Sequence, residues 1–217
     1  SIDTRIADPG WYSLPGDPRR YRDWILRLRG TGHADDMNLR ESIAQSCDVY
    51  FYDLAHRLGI DALAESLDEF GIGSLTGVDL PSEKRGILPS SEWKKRVIGS
   101  NWYGGETLIV GIGQGYMLAT PLQLAVATSA LATRGTAYKP KLVASVAGAA
   151  LPLEPLLDVT APADYWNEVV AGMVDTVFSP RGTAAGMRTG ITYSVAGKTG
   201  TAQVVGIAQD ATYDEDL

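Results

Sequence analysis

The sequence predicts an α+β fold, and three observations carry that prediction. Apolar residues recur at three-to-four spacing through residues 38–70, the pattern of helices with one buried side. A capped, apolar helix over 120–133 runs into a strand over 137–147. A third helical stretch, 163–178, leads to 193–205, which reads as one long strand with glycine openings. Helices first, then strand, helix and strand, is the order of a layered α+β or α/β domain. At 217 residues the chain can bury a sizeable core, as one large domain or two small ones.

The elements follow in order. Residues 1–38 read as irregular, broken by Pro9-Gly10, Pro15-Gly16-Asp17-Pro18, Gly30 and Gly32, with Trp11, Tyr12, Tyr21 and Trp24 interleaved. So aromatic a segment packs onto something, and it is too long for a plain loop, so something holds it together. From Asn38, Ile43, Cys47, Phe51, Leu54 and Leu58 share one helical face, with a break at Ser46–Asp48 because Ser and Asp favour caps. Gly59 ends this run. A second helix carrying Leu63, Leu67 and Phe70 stops at Gly71 and Gly73. Pro81, Gly86, Pro89 and Gly104-Gly105 make 74–110 mostly loop. Thr120-Pro121-Leu122-Gln123 is a capping box with proline in the first helical position. The run to Thr133 is apolar on nearly every side, which predicts a buried helix ended by Gly135. Tyr138, Leu142, Val143 and Val146 mark the following strand, and Trp166, Val169, Val170, Met173, Val174 and Val177 one face of the 163–178 helix.

Composition is ordinary for a globular protein, 45% hydrophobic and 21% charged. The net charge of −7 argues against nucleic acid or an anionic membrane as the main partner. No apolar run approaches the roughly 20 residues of a spanning helix. The start, Ser1-Ile2-Asp3-Thr4-Arg5, is not a signal peptide, and both ends read as cuts through a longer protein. The single cysteine, Cys47, cannot form an internal disulfide, so it is either buried and inert or a ligand, and the redox compartment stays open.

Two strings carry chemistry. Lys198-Thr199-Gly200-Thr201 sets a cation, two hydroxyls and a glycine on an apparent edge strand. Gly200 lets a ligand backbone approach closely, and Thr199 and Thr201 share one face. That suits a peptide laid along the strand, its terminal carboxylate held by hydroxyls near a positive charge. Alone, the triplet fits a solvent-facing strand end equally well. In Ser46-Cys47-Asp48, Ser46 relays protons if a lysine stands beside it; without one the string is a cap or turn. Gly111-Ile112-Gly113-Gln114-Gly115 lacks the sixth-position glycine and the βαβ setting of a dinucleotide loop. Ser91-Glu92-Trp93-Lys94 matches Ser-x-x-Lys literally but follows Ser46 and sits in a Pro- and charge-rich loop, so it reads as a decoy. His56, mid-helix, reads as structural.

Lys-Thr-Gly and Ser-x-Asn are two of the three motifs of the acyl-serine site in penicillin-binding proteins and class A β-lactamases. Glu41-Ser42-Ile43-Ala44-Gln45-Ser46-Cys47-Asp48-Val49-Tyr50-Phe51-Tyr52 resembles the class B, elongation-specific penicillin-binding protein 2 family of Gram-negative bacteria. So do Asp8-Pro9-Gly10-Trp11, Tyr21-Arg22-Asp23-Trp24, Trp102-Tyr103-Gly104-Gly105, and Gly111 to Tyr116 running into Thr120-Pro121. Arg181-Gly182-Thr183-Ala184 and Lys198 to Val204 complete the set. The resemblance covers essentially the whole chain. It implies a partial penicillin-binding-protein or serine β-lactamase-like transpeptidase domain. Residues 1–217 would be part of a single such domain, with the nucleophile segment upstream and a C-terminal strand and helix beyond.

The implied activity is a D,D-transpeptidase. A serine attacks the penultimate D-Ala of a peptidoglycan stem peptide, and the acyl group passes to an amine of a neighbouring stem; β-lactam antibiotics acylate the same serine. By motif, Ser46 relays protons, Lys198 polarises the nucleophile and attracts the substrate carboxylate, and Thr199 and Thr201 bind that carboxylate, with Gly200 between them. The Thr201 N–H forms half of an oxyanion hole. Asp48 stands where the superfamily has Asn. The resemblance further implies structural zinc held by Asp8, Asp23, His33 and Cys47, a plausible four-coordinate donor set. The implied partners are a membrane glycosyltransferase and elongation-complex proteins, and the implied location is the periplasmic side of the inner membrane. Rival readings are a related carboxypeptidase or β-lactamase, and a non-catalytic, zinc-stabilised partner-binding piece.

Overall fold

The computed structural model describes residues 2–34 and 36–202. Short strands β1 (Trp11–Tyr12) and β2 (Tyr21–Arg22) pair antiparallel and lead into α1 (Trp24–Arg29). Asp23 caps α1 by accepting the Ile25 N–H, and Gly30, left-handed at φ 70°, ends it. Next come α2 (Leu39–Gln45), α3 (Asp48–Leu58) and α4 (Ile60–Glu69). The loop that follows holds α5 (Ser91–Val97) and α6 (Gly104–Gly111). Then α7 (Pro121–Ala132) precedes β3 (Thr136–Tyr138), a small hairpin of β4 (Ser145–Val146) and β5 (Ala149–Ala150), and β6 (Pro155–Asp158). β3 pairs antiparallel with β6, Ala137 opposite Leu157. The long α8 (Ala163–Phe178) and a single 3-10 turn at Ala185–Arg188 close the described part.

Two helix crossings position the rest, and both need glycine. α8 lies across α2 at Gly172, where a Cβ would stand 2.9 Å from Ile43 Cβ. Arg40 and Asp175 pin the same pair with hydrogen bonds of 2.5 and 3.1 Å. α6 crosses α3 at Gly111, where a Cβ would stand 2.4 Å from Ala55 Cβ and 3.2 Å from the Phe51 carbonyl. The Gly-x-Gly-Gln-Gly string therefore serves helix packing and the turn after α6; Gly113 and Gly115 take φ of 79° and 73°. Gly111→Ala should destabilise the fold by about 1–3 kcal/mol through overpacking, read as a lower urea midpoint at unchanged slope. An unchanged midpoint would show that α3 and α6 can part without cost.

Several sequence expectations are corrected. The face Ile43–Cys47–Phe51–Leu54–Leu58 assumed one helical phase. Ser46 adopts φ 55°, ψ 48° and resets it, so Val49, Tyr50, Tyr52 and Ala55 are buried in α3 while Leu54 and Leu58 are exposed. Residues 74–110 contain α5 and α6, since Ser90 caps α5 and Glu106 accepts the Tyr103 N–H at the start of α6. α7 has its expected box, but only Gln123, Val126 and Ala130 are buried; Leu124 is 52% exposed on the opposite side. Gln123 spans α7 and the loop before it, donating to the Ser74 and Arg85 carbonyls. The expected 137–147 strand is split into β3 and the two-residue β4, because Leu142 and Val143 between them give their N–H groups to Asp79 rather than to a strand. The strand over 193–205 does not form across 193–202, where no strand lies beside it among the described residues. Residues 203–205 fall outside the described part.

Candidate active site and metal centre

The break between α2 and α3 is the centre of the site. Ser46 ends α2 in the left-handed region, a conformation costing a non-glycine residue about 1–2 kcal/mol. Its hydroxyl accepts a 2.8 Å hydrogen bond from Lys198 Nζ, across 152 residues of chain. Lys198 also donates to the Thr199 carbonyl at 2.9 Å. Crowding around the ammonium pulls the Lys198 pKa below its ordinary value, while the Asp48 carboxylate acts in the opposite direction. The Lys198 segment is tied to α8 and α2: Gly197 N–H donates to the Met173 carbonyl, and Thr183 N–H to the Ala44 carbonyl. The Thr199 and Thr183 hydroxyls stand 2.7 Å apart. With no strand here, the expectation that Thr199 and Thr201 share a strand face lapses; Thr199 is engaged with Thr183, and Gly200 and Thr201 lie open to solvent.

Asp48 begins α3 with its carboxylate 3.3 Å from the Trp24 N–H, which it accepts. Burial, with the nearby Asp23 charge adding to it, lifts the Asp48 pKa to about 7. Trp24 is the residue that sequence reasoning missed. Its indole N–H donates to the Ser46 carbonyl at 2.9 Å, and its ring meets the His33 ring edge-on at 5.8 Å. In the sequence Trp24 is an interleaved aromatic and the last residue of the Tyr21-Arg22-Asp23-Trp24 resemblance, and neither signal shows that its indole meets the Ser46 carbonyl.

Directly beneath Ser46, Asp8, Asp23, His33 and Cys47 each turn a donor atom into one cluster, all within 4.8 Å of one another. His33 Nδ1 is 2.7 Å from Asp8 Oδ2 and 3.6 Å from Asp23 Oδ2, and Cys47 Sγ is 3.4 Å from Asp8 Oδ2. A zinc tetrahedron with ligand bonds of 2.0–2.3 Å has edges of about 3.3–3.8 Å, so this spacing fits the ion with small adjustments. The surrounding hydrogen bonds also fit. His33 Nε2 faces the Gln45 carbonyl at 3.2 Å, which leaves Nδ1 as the ligating nitrogen. Asp8 Oδ1 accepts from Gly10, Asp23 Oδ1 from Ile25 and Oδ2 from Val49, and Cys47 Sγ from Tyr50. Gly32 permits this closure, because a Cβ there would stand 1.9 Å from the Asp8 carbonyl oxygen.

Electrostatics make the same case. Burial raises the Asp23 carboxyl against its backbone hydrogen bonds. Burial also opposes ionisation of Asp8, but the His33 ring, the His33 and Gly10 N–H groups and the Cys47 thiol outweigh it and hold that carboxyl low. Burial, then Asp8 and Asp23, push the Cys47 thiol well up. Two enclosed carboxylates and a thiol have only the His33 ring facing them as a cationic partner, and a divalent cation would supply a stronger positive centre there. Cys47 also touches the buried Met37, Val49 and Tyr50, so the core and ligand readings of this residue are both met by its geometry.

Ser91 and Lys94 each have a structural partner of their own. Ser91 opens helix α5 instead of lying in a loop. Its hydroxyl donates to Asp61 Oδ2 at 2.7 Å, while the buried Lys94 pairs with Glu106 at 2.5 Å beside the Tyr103 ring. His56 lies exposed on α3, its ring 6.2 Å from that of Tyr12.

The penicillin binding protein transpeptidase domain model matches residues 2–216. The peptidoglycan D,D-transpeptidase MrdA of Acinetobacter baumannii is 43% identical over 98% of this chain, and the alignment spans 31% of that protein. A crystal structure of Pseudomonas aeruginosa PBP2 in complex with WCK 5153 superposes with a TM-score of 0.85 at 41% identity, over 94% of this chain and 46% of that one. The complex of Helicobacter pylori PBP2 with MreC gives 0.81 at 35% identity, over 94% and 36%. The chain thus spans about a third of the length of the curated relatives it matches. With the Ser46–Lys198 pair at the break between α2 and α3 and a family match from end to end, the chain belongs to the penicillin-binding protein transpeptidase domain family.

Proposed function

We propose that this chain supplies two walls of a peptidoglycan D,D-transpeptidase site that crosslinks stem peptides through an acyl-serine and is acylated by β-lactams. The observation that carries the reading is the 2.8 Å contact between Lys198 Nζ and Ser46 Oγ, which unites two motifs 152 residues apart. Lys198 presents a cation to a substrate carboxylate and holds the Ser46 hydroxyl, whose remaining lone pair and proton are available for relay to a nucleophile. The Thr201 N–H faces the developing oxyanion once substrate is bound. Asp48, its carboxyl raised by burial and bonded to the Trp24 N–H, braces the start of α1 rather than contacting substrate.

Asp8, Asp23, His33 and Cys47 would hold zinc, whose charge neutralises the enclosed carboxylates and fastens the irregular N-terminal region to the start of α3. The H. pylori complex with MreC supports partners of the same elongation class, and such an assembly would sit on the periplasmic face of the inner membrane. The test is peptide mapping after penicillin treatment of the full-length protein. The adduct is expected on a serine outside residues 1–217. An adduct on Ser91 would overturn both the decoy reading and the role given to Ser46.

A further inference from the structure

Arg181-Gly182-Thr183-Ala184, so far a motif without a role, turns directly after α8 and is fastened on two sides. Gly182 N–H donates to the Ser179 carbonyl, and Ala184 N–H to the Thr176 carbonyl at the end of α8. Gly182 passes so close to that helix end that a Cβ would stand 2.3 Å from both the Asp175 and the Thr176 carbonyl oxygens, so glycine is needed there. Thr183 N–H reaches the other way, to the Ala44 carbonyl of α2 at 3.1 Å, just ahead of Ser46. Its hydroxyl lies 2.7 Å from that of Thr199. Thr183 therefore has its main chain on the wall that carries Ser46 and its side chain on the wall that carries Lys198. The Lys198 segment takes its bearing from the same helix, since Gly197 N–H bonds to the Met173 carbonyl, about one turn before Thr176.

We propose that Thr183 is a positioning residue for substrate binding: its hydroxyl donates to Thr199 Oγ1 and leaves the Thr199 proton free for the carboxylate of a peptide or β-lactam. The proton count gives the direction. A hydroxyl has one proton and two lone pairs, and a carboxylate only accepts. A Thr199 that binds a carboxylate therefore points its single proton at the anion, and its contact with Thr183 survives only with Thr183 as donor. Among the described residues neither hydroxyl has another partner, so nothing competes with this polarity. The bond from Thr183 polarises the Thr199 O–H and holds its rotamer before the anion arrives. Its effect falls on anion binding rather than on proton relay between Ser46 and Lys198. The inference rests on the transpeptidase reading above, in which Thr199 binds the carboxylate, and sets Thr183 behind it.

The experiment compares acylation of the full-length protein by benzylpenicillin and by its methyl ester, which lacks the anion. The readout is the ratio of the two second-order acylation rates. The wild type should favour the free acid. Thr183→Val keeps the shape and removes the hydroxyl; it should lower that preference about fivefold, the size of one hydrogen bond, with the ester rate unchanged. Thr183→Ser should restore the preference. In a Thr199→Val background, Thr183→Val should change the ratio no further. A merely structural role would slow both compounds alike, so a fall in both rates at an unchanged ratio overturns the inference. A valine variant that matches the wild type overturns it, as does a serine variant that fails to recover or a wild type that takes acid and ester equally. A further fall in the Thr199→Val background would place the Thr183 hydroxyl on the carboxylate itself and also overturn it. Penicillin labelling of the wild type separates the two levels. If the wild type is labelled and the ratio is unmoved in Thr183→Val, only the role of Thr183 fails; if the wild type is not labelled, the transpeptidase reading falls and Thr183 with it.

Discussion

Lys198→Ala in the full-length protein should lower the rate of labelling by a fluorescent penicillin about a hundredfold or more. The Lys198 ammonium is the group bonded to the Ser46 hydroxyl at 2.8 Å, and alanine leaves neither a cation for the substrate carboxylate nor a partner for that hydroxyl. Ser46→Ala should fall by a similar factor, and the double variant little further, because the two side chains act as one unit. Stability should barely move: one solvent-accessible hydrogen bond contributes about 0.5–1.5 kcal/mol. The two readouts separate a catalytic loss from an unfolded protein. Labelling within threefold of wild type, at full folding, would remove Ser46 and Lys198 from the reaction.

Zinc removal is expected to act on stability first. If the cluster binds the ion with free zinc a hundred- to a thousandfold above its Kd, the ion adds about 3–4 kcal/mol. For a chain of this size that is roughly 10 °C in Tm. The wild type should carry one zinc by elemental analysis and lose that increment in chelator. His33→Ala and Cys47→Ala should show no zinc-dependent increment at all. In chelator the variants should differ from the wild type only by ordinary packing and hydrogen-bond losses. The pH dependence has a definite sign. Burial and the two carboxylates push the metal-free Cys47 thiol up, so the ligating thiolate exists only against proton competition. The zinc increment should therefore shrink as pH falls. Protein never exposed to acid or chelator that nonetheless contains no zinc, and whose Tm ignores added zinc, would refute the metal reading. Stability alone would not settle whether the metal matters to the reaction. The Trp24 bond to the Ser46 carbonyl and the Trp24–His33 ring contact predict that penicillin labelling also slows, by about tenfold, on zinc removal.

What could be read in advance followed the reach of each signal. Local signals held. The Thr120–Gln123 box starts α7, Asn38 and Glu41 form another at the start of α2, and Gly59 separates α3 from α4. The break at Ser46 was legible from residue chemistry, but not the left-handed turn that rotates the buried side of α3 away from Leu54 and Leu58. α5 and α6 were hidden because Pro89 and Gly104-Gly105, read as loop signals, lie just before and at the start of helices whose caps are Ser90 and Tyr103. The site residues came from motif resemblance, and the meeting of Ser46 with Lys198, and of Asp8 and Asp23 with His33 and Cys47, is a tertiary fact that no local pattern contains. The extended run at 193–202 failed for a complementary reason: alternation specifies which face a strand shows, but a strand forms only beside another, and none stands there among the described residues.

The left-handed backbone at Ser46 sets stability and activity against each other at a single codon. Asparagine occupies that region more readily than serine, and glycine does so freely. Either would relax the turn, and either would delete the hydroxyl that Lys198 holds. A library randomised at position 46 and selected only for heat resistance should therefore drift toward Asn, while the same library selected for penicillin labelling should return Ser. Recovery of Ser from both selections would mean that the hydroxyl contributes more to the fold than the strained backbone takes away.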